Sequence, residues 1–116
     1  MTGRFAPLLE TLTRLRGIRG ALVVDVADGL VVEESVMGGL KVPAVAAMAA
    51  NITGRSAELA GRADFGQPRF IHLQALDGSL LVAPAPRDLL LVAIAGRDVP
   101  LGLIRLEMLR MAEHLV

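Results

Sequence analysis

The sequence of 116 residues contains no cysteine, no tryptophan and no tyrosine, and it has only three phenylalanines. Without cysteine, disulfide bonds and thiolate metal sites are excluded. Basic and acidic side chains number 12 each, so the formal net charge is zero. Nucleic-acid-binding domains usually carry a basic excess, because neutralised phosphates supply much of their affinity. The composition therefore argues against a nucleic-acid partner.

Long hydrophobic runs are also missing, although 53% of the residues are hydrophobic. No run approaches the roughly 20 apolar residues that span a bilayer, and no extended apolar stretch follows Arg4 as a secretory signal would require. We therefore expect a cytoplasmic protein without membrane insertion. Residues 1–116 are too few for two ordinary cores, so a single domain is expected. A domain this small and this apolar has more apolar surface than one core can bury, which predicts an oligomer or an obligate partner.

Apolar spacing and turn signals divide the chain into three helices and five strands. Asp28-Gly29 and Asp77-Gly78 are hairpin turn signals, and the almost wholly apolar run Leu89–Ala95 is typical of a central strand covered on both faces. The predicted elements are a helix over 5–16, strands over 21–26 and 30–34, a helix over 43–63, strands over 69–75, 80–83 and 89–95, and a helix over 100–115. The order α-ββ-α-βββ-α predicts an α+β sandwich with one five-stranded, mainly antiparallel sheet. The middle helix is expected to cross between the two groups of strands.

The middle helix separates into three stripes when it is placed on a helical wheel. The predicted core stripe comprises Val45, Met48, Ala49, Ile52, Ser56, Leu59 and Ala63. An adjoining ridge of small residues comprises Ala46, Ala50, Thr53, Gly54, Ala57 and Gly61. Alanine favours helices by itself, but each glycine costs about 1 kcal/mol in a helix interior, so the ridge is predicted to be a helix–helix interface between two chains. The third, polar stripe comprises Asn51, Arg55, Glu58 and Arg62.

Side chains that carry catalytic or metal chemistry are sparse. Of the two histidines, His72 lies on a predicted strand and His114 near the C-terminus, and neither has a cluster of acidic residues at metal-ligand spacing. Gly38–Lys41 is the nearest approach to a phosphate-binding loop, but Val-Pro follows the lysine where a hydroxyl residue would be needed. The acidic pair Glu33-Glu34 is predicted to be solvated. No catalytic, cofactor-binding or metal-binding residue is therefore expected.

Several segments in the same order resemble roadblock domains. Gly17–Asp25 and Asp28–Val32 are similar to the family's opening, in which a helix leads through a G-(V/I)-x-G-A turn into a hairpin with a D-G tip. Ala57–Ala60 is similar to the end of the central helix, Asp77–Pro84 to the second hairpin and Pro100–Arg105 to the start of the last helix. No single motif is very specific, but their combined order covers nearly the whole chain.

This resemblance implies a roadblock/profilin-like fold and a role in regulation. Roadblock domains form homodimers or heterodimers in which two sheets join and the central helices lie together, have no known cofactor, and regulate or scaffold small Ras-like GTPases. The bacterial branch includes the gliding-motility regulator MglB, which accelerates GTP hydrolysis by its partner. The resemblance therefore implies an MglB-like, non-catalytic homodimer that docks a GTPase on its paired central helices and modulates GTP hydrolysis.

The polar stripe then becomes the expected docking edge for the GTPase, through Asn51, Arg55, Glu58 and Arg62. Ordinary solvated charges on a surface helix are the alternative interpretation. An arginine finger from Arg55 or Arg62 is geometrically conceivable, yet the family resemblance implies an indirect mechanism in which docking reshapes the partner's catalytic loops. A scaffold subunit with no effect on hydrolysis remains open, whereas a small-molecule sensor is less favoured, because the chain has few aromatic residues and no evident polar cluster on an apolar wall.

Overall fold

The computed structural model describes residues 3–115, which form three α-helices, five strands and one short 3-10 turn in the predicted order. The elements are α1 (Ala6–Thr13), β1 (Ile18–Asp25), β2 (Leu30–Val36), α2 (Val42–Arg62), β3 (Ile71–Ala75), β4 (Gly78–Ala85), the 3-10 turn (Pro86–Asp88), β5 (Leu89–Ala95) and α3 (Leu101–Ala112). The predicted α+β class and the sequence of elements are confirmed.

The five strands form one sheet in the order β2-β1-β5-β4-β3, and every neighbouring pair is antiparallel. The apolar strand β5 is central, as its composition predicts. Strands β2 and β3 follow one another in the chain but lie at opposite edges, so the connection through α2 must cross the sheet. This crossing places α2 alone on one face and leaves the edge of β3 without a neighbouring strand.

Alternating side chains of the central strands fill a core on each face of the sheet. Leu91 and Ala93 of β5 pack on the face that α1 and α3 cover, whereas Leu90 and Val92 pack on the face that α2 covers. All four are essentially buried. The period-two alternation of a strand therefore supplies two apolar faces at once, which explains why so little of β5 is polar.

Two glycines of the opening motif are required by the packing around β1. Gly17 has a φ of +88°, and a side chain there would collide with Val99. At Gly20, a β-carbon would lie 2.9 Å from a methyl carbon of Val36 and 2.9 Å from a methyl carbon of Leu40. The G-x-x-G spacing thus lets β1 leave its turn and lie close beside the end of β2.

Element boundaries shift by a few residues from the predictions. Helix α1 ends at Thr13, not at residue 16, and β3 begins at Ile71, two residues later than predicted. Strand β4 continues through Pro84, beyond Val82, where its pairing with β3 ends. Beyond Val82, β4 pairs only with β5, which is where a residue without a backbone N–H is tolerated in a sheet.

The prediction that Glu33 and Glu34 are both solvated is wrong for Glu33. Its Oε1 accepts a hydrogen bond of 2.8 Å from the backbone N–H of Phe5, which precedes α1. The first turn of α1 has no acidic residue and no side-chain cap of its own. A carboxylate on β2 therefore accepts a hydrogen bond from a backbone N–H at the start of the helix. Its negative charge also interacts favourably with the positive end of the helix dipole. Glu34 is exposed.

Candidate functional site

Helix α2 faces the sheet with small residues. Ala46, Ala49 and Thr53 are its buried positions, and Ala46 and Ala49 belong to the core under α2. The Thr53 hydroxyl donates a hydrogen bond of 2.7 Å to the carbonyl oxygen of Ala49, so no polar atom is left unsatisfied there. Ala46 and Thr53, predicted as interface residues, have almost no exposed surface to offer a partner. Both residues therefore belong to the buried face of α2 and not to the predicted interface.

The other four residues of the small ridge follow one flank of α2. Ala50 and Ala57 are half-buried, whereas Gly54 and Gly61 are exposed, with no atom of another element within 4 Å of a β-carbon placed on either glycine. The tip of the first hairpin covers part of this flank, since a β-carbon on Gly29 would lie 3.5 Å from that of Ala50. Only the glycine positions of the ridge remain open to another chain.

The opposite flank of α2 exposes two large apolar residues, whereas Val45 and Ile52 pack partly buried against the core, as predicted. Met48 is 44% exposed and Leu59 is 63% exposed, so their predicted place in the core is wrong. The two residues are separated by 11 positions, three helical turns, and therefore lie on the same side of the helix. The helix is rotated relative to the prediction because alanine and threonine, not leucine and methionine, fit against the bulky leucines and valines of the sheet.

The Met48 end of this flank lies next to the β3–β4 hairpin, and β3 is an edge strand of the sheet. Val45 and Met48 line a cavity of about 460 Å³ together with Leu73 of β3 and Leu76 of the following turn. Leu76 is 82% exposed, although a polar residue would be usual in a hairpin turn. We call Met48, Leu59, Leu76 and the unpaired edge of β3 the α2–β3 surface. Sequence reasoning missed it, and the apolar residue beside the Asp77-Gly78 turn was its only local signal.

The polar stripe of α2 lies on its solvent side, as predicted. Asn51, Arg55, Glu58 and Arg62 are all exposed. Arg62 and Glu58 form an ion pair of 2.9 Å one turn apart. Such exposed pairs contribute little to stability, so both side chains can be redirected toward a partner at small cost. Arg55 and Arg62 lie four and three positions from Leu59, so the charged row borders the α2–β3 surface.

The remaining polar chemistry is dispersed. His72 is exposed on β3, with Nε2 3.2 Å from the hydroxyl oxygen of Ser79. Among residues 3–115, no three histidine or acidic side chains come together in a way that could hold a metal ion. Within the same described part of the chain, no helix has the length and hydrophobicity that crossing a membrane requires.

Comparison with known proteins agrees with this architecture. Residues 5–95 match the sequence model of the Roadblock/LC7 domain. An uncharacterised protein of Methanocaldococcus jannaschii is 33% identical over 93% of this chain and 92% of its own length. A structure described as MglB with tetrameric arrangement is 26% identical, has a TM-score of 0.87, and is matched over 97% of this chain and 85% of that one.

The gliding protein MglB of Thermus thermophilus has the same fold. It is 24% identical, with a TM-score of 0.87 over 99% of this chain and 90% of that one. The family match covers most of the chain, including both hairpins and α2, on which the α2–β3 surface and the charged row lie. The chain belongs to the Roadblock/LC7 domain family.

Proposed function

We propose that this protein is a non-catalytic homodimer that docks a small Ras-like GTPase and modulates its GTP hydrolysis. The observation that carries the proposal is the arrangement of α2, whose exposed apolar flank reaches the hairpin of the edge strand β3 and whose outer face carries an accessible charged row. Membership of the roadblock family, whose members the sequence resemblance associates with such GTPases, supports the partner class. The similarity to MglB, at 26% identity over most of the chain, supports it further.

A second copy of this chain is the occupant proposed for the α2–β3 surface. A free strand edge presents unpaired N–H and C=O groups, which another strand can pair. If two copies meet about a two-fold axis, β3 pairs with β3 of the second copy and the two α2 helices lie side by side. Met48, Leu59 and Leu76 would then be covered by their own counterparts. The tetrameric arrangement named for the similar MglB structure supports self-association.

The open part of the small ridge is the alternative interface. Gly54 and Gly61 would allow a second backbone to approach closely, with Ala50 and Ala57 on either side of the contact. We favour the α2–β3 surface because it exposes large apolar side chains, whose burial on association releases more free energy than the burial of glycine does. The two interfaces use opposite flanks of α2, so substitutions on each flank separate them.

The proposed docking site for the GTPase is the outer face of the two α2 helices, with Asn51, Arg55, Glu58 and Arg62 from each copy. Dimerisation would bring two such rows together and double the area offered to one partner. We propose that docking acts on the partner's own catalytic loops and that no side chain of this protein enters the chemistry. A scaffold would use the same platform without changing the rate of GTP hydrolysis.

The solution mass tests this proposal, measured by light scattering for the protein alone and then with a Ras-like GTPase from the same genome. The expected result is a mass of about twice the 12.2 kDa chain, which increases when the GTPase carries non-hydrolysable GTP and not when it carries GDP. Binding that ignores the nucleotide would favour the scaffold. A stable monomer would overturn the proposed homodimer.

Substitution of the charged row then tests the docking face. Replacing Arg55 and Arg62 together with alanine should weaken GTPase binding about tenfold or more, which corresponds to about 1.4 kcal/mol. Arg110→Ala is the matched control, because Arg110 is an exposed arginine in an ion pair with Glu107 on the opposite face of the sheet. Equal affinities for the double variant and the control would contradict the choice of α2. Single-turnover GTP hydrolysis with each variant separates a regulator from a scaffold.

A further inference from the structure

A cleft of about 520 Å³ opens on the face of the sheet opposite α2. It lies between β3, β4 and the start of α3, and basic side chains dominate its polar lining. Arg69 precedes β3, His72 projects from β3, and Arg105 comes from the second turn of α3. Phe70 and Leu101 provide apolar wall. Two separate segments of the chain, residues 69–72 and the start of α3, thus bring three basic side chains to one concave surface.

The two arginines of the cleft have no acidic neighbour. No aspartate or glutamate lines the cleft, and within residues 3–115 neither Arg69 nor Arg105 forms an ion pair. Within residues 3–115, Arg62 and Arg110 are the two arginines that form ion pairs, so what distinguishes Arg69 and Arg105 is that both line one cleft without an acidic residue. The chain as a whole has zero net charge, so this local excess of positive charge is not a consequence of a basic composition.

Packing also restrains the Arg105 side chain at the wall of the cleft. Its guanidinium carbon lies 5.7 Å from the centre of the Phe70 ring, a cation–π contact. A guanidinium held over an aromatic face loses less conformational entropy when its N–H groups bind a ligand. Arg105 is therefore both exposed and partly preorganised.

The start of α3 adds to the positive potential. It has no acidic residue in its first turn and no side-chain cap, and Gly102 lines the cleft. A β-carbon on Gly102 would meet nothing within 4 Å, so a ligand can reach the backbone there. The helix dipole favours an anion at this position, which supports the arginine pair without being needed for it.

We propose that this cleft binds a small molecule through a phosphate group. Two guanidinium groups match the geometry and charge of phosphate oxygens. His72, whose Nε2 already contacts the Ser79 hydroxyl, can add a further hydrogen bond from Nδ1. The volume lies within the range of small-molecule sites, so the cleft has room for more than the phosphate alone. This inference does not rest on the proposed function, because the cleft and α2 are on opposite faces of the sheet. A phosphorylated ligand here would add a sensing role to the domain.

Titration of the isotopically labelled protein with inorganic phosphate and with AMP, followed by NMR, tests this proposal at constant ionic strength. Saturable shifts of the amides of His72 and Gly102 are expected with either probe. Tighter binding of AMP would identify an organic phosphate as the ligand class, whereas equal binding would identify phosphate itself. Shifts that follow ionic strength without saturating would overturn the proposal, as would saturable binding of a glutamate-rich peptide in the absence of phosphate binding.

Three variants locate the binding. Arg105→Ala should raise the dissociation constant for phosphate at least tenfold. Arg105→Lys keeps the charge but loses the planar fork, so its dissociation constant should lie between those of the unaltered protein and Arg105→Ala. Arg110→Ala on the same helix removes the same charge outside the cleft and should change the constant less than twofold. Equal losses for Arg105→Ala and Arg110→Ala would overturn the proposal. Both arginines are exposed, and an unchanged amide spectrum elsewhere in the protein would verify that each variant folds.

Discussion

Replacing Leu59 with alanine is predicted to weaken self-association while leaving the single chain folded. Leu59 is 63% exposed in the single chain, so its truncation leaves little cavity in the core. Alanine also has the higher helix propensity, which favours α2 slightly. In a two-fold dimer through the α2–β3 surface, one interface contains both copies of Leu59. The substitution therefore removes two contacts from a single interface.

The expected loss can be calculated from the exposed fraction of Leu59. Full burial of a leucine side chain contributes about 1.5–3 kcal/mol, so covering the exposed 63% contributes about 1–2 kcal/mol per copy. Alanine retains the β-carbon, which leaves a loss of about 2–3 kcal/mol for the two copies together. At about 1.4 kcal/mol per tenfold, the dissociation constant of the dimer should rise roughly 30- to 150-fold.

Sedimentation equilibrium measures this dissociation constant directly, with two control variants. Leu106 of α3 is 53% exposed on the other face of the sheet, so Leu106→Ala should change the constant less than twofold. Gly54→Arg places a large charged side chain on the small ridge, where the single chain has open space. An unchanged constant for Leu59→Ala combined with dissociation by Gly54→Arg would refute the proposed interface and assign the dimer to the ridge.

Three further predictions concern folding and are checked by urea unfolding at one fixed protein concentration, because self-association makes stability depend on concentration. Glu33→Ala should lower the free energy of unfolding by about 1–2 kcal/mol, since it removes the hydrogen bond to Phe5, whereas an equal loss in Glu34→Ala would contradict this role. Arg87→Asn should raise it by up to about 1 kcal/mol, because residue 87 has a φ of 61°, which asparagine tolerates better than arginine, and a loss would contradict this explanation. Leu91→Ala should lower it by about 2–5 kcal/mol through a cavity under α1 and α3, and a loss below 1 kcal/mol would show that the site collapses.

The sheet could be predicted because its signals are local. Period-two alternation, the two Asp-Gly turns and the apolar run Leu89–Ala95 each involve residues close together in sequence. The antiparallel pairing and the central place of β5 follow from them, and the structure confirms both. The crossing of α2 also follows, because a long helix between two groups of strands has to pass over the sheet.

The orientation of α2 could not be predicted, because two of its stripes are apolar. Either Met48 and Leu59 or Ala46 and Thr53 could face the sheet by periodicity alone. The choice depends on the space above the sheet, which side chains distant in sequence have already filled. The wheel was right for Ala49 and, in part, for Val45 and Ile52, which pack against the core. It was wrong for Met48 and Leu59, which are exposed.

Contacts between residues far apart in the sequence could not be predicted from sequence patterns either. The hydrogen bond between Phe5 and Glu33 joins residues 28 positions apart. The cleft brings Arg69 and His72, at the start of β3, together with Arg105 of α3. The sequence around an arginine does not indicate whether acidic side chains will lie near it in the folded protein. Only the assembled sheet and α3 reveal the local excess of charge.

The distribution of residue sizes on α2 is the strongest physical reason to expect a partner. A helix that had only to stabilise its own domain would gain most by burying Leu59 and Met48 and exposing alanine, because buried area sets the hydrophobic gain. Helix α2 packs Val45 and Ile52 partly against the core but exposes the two larger side chains, Met48 and Leu59. Association with another chain can then bury these two side chains. Since Arg55 and Arg62 border the same flank, an association that covers Leu59 also brings the charged rows of two chains close together.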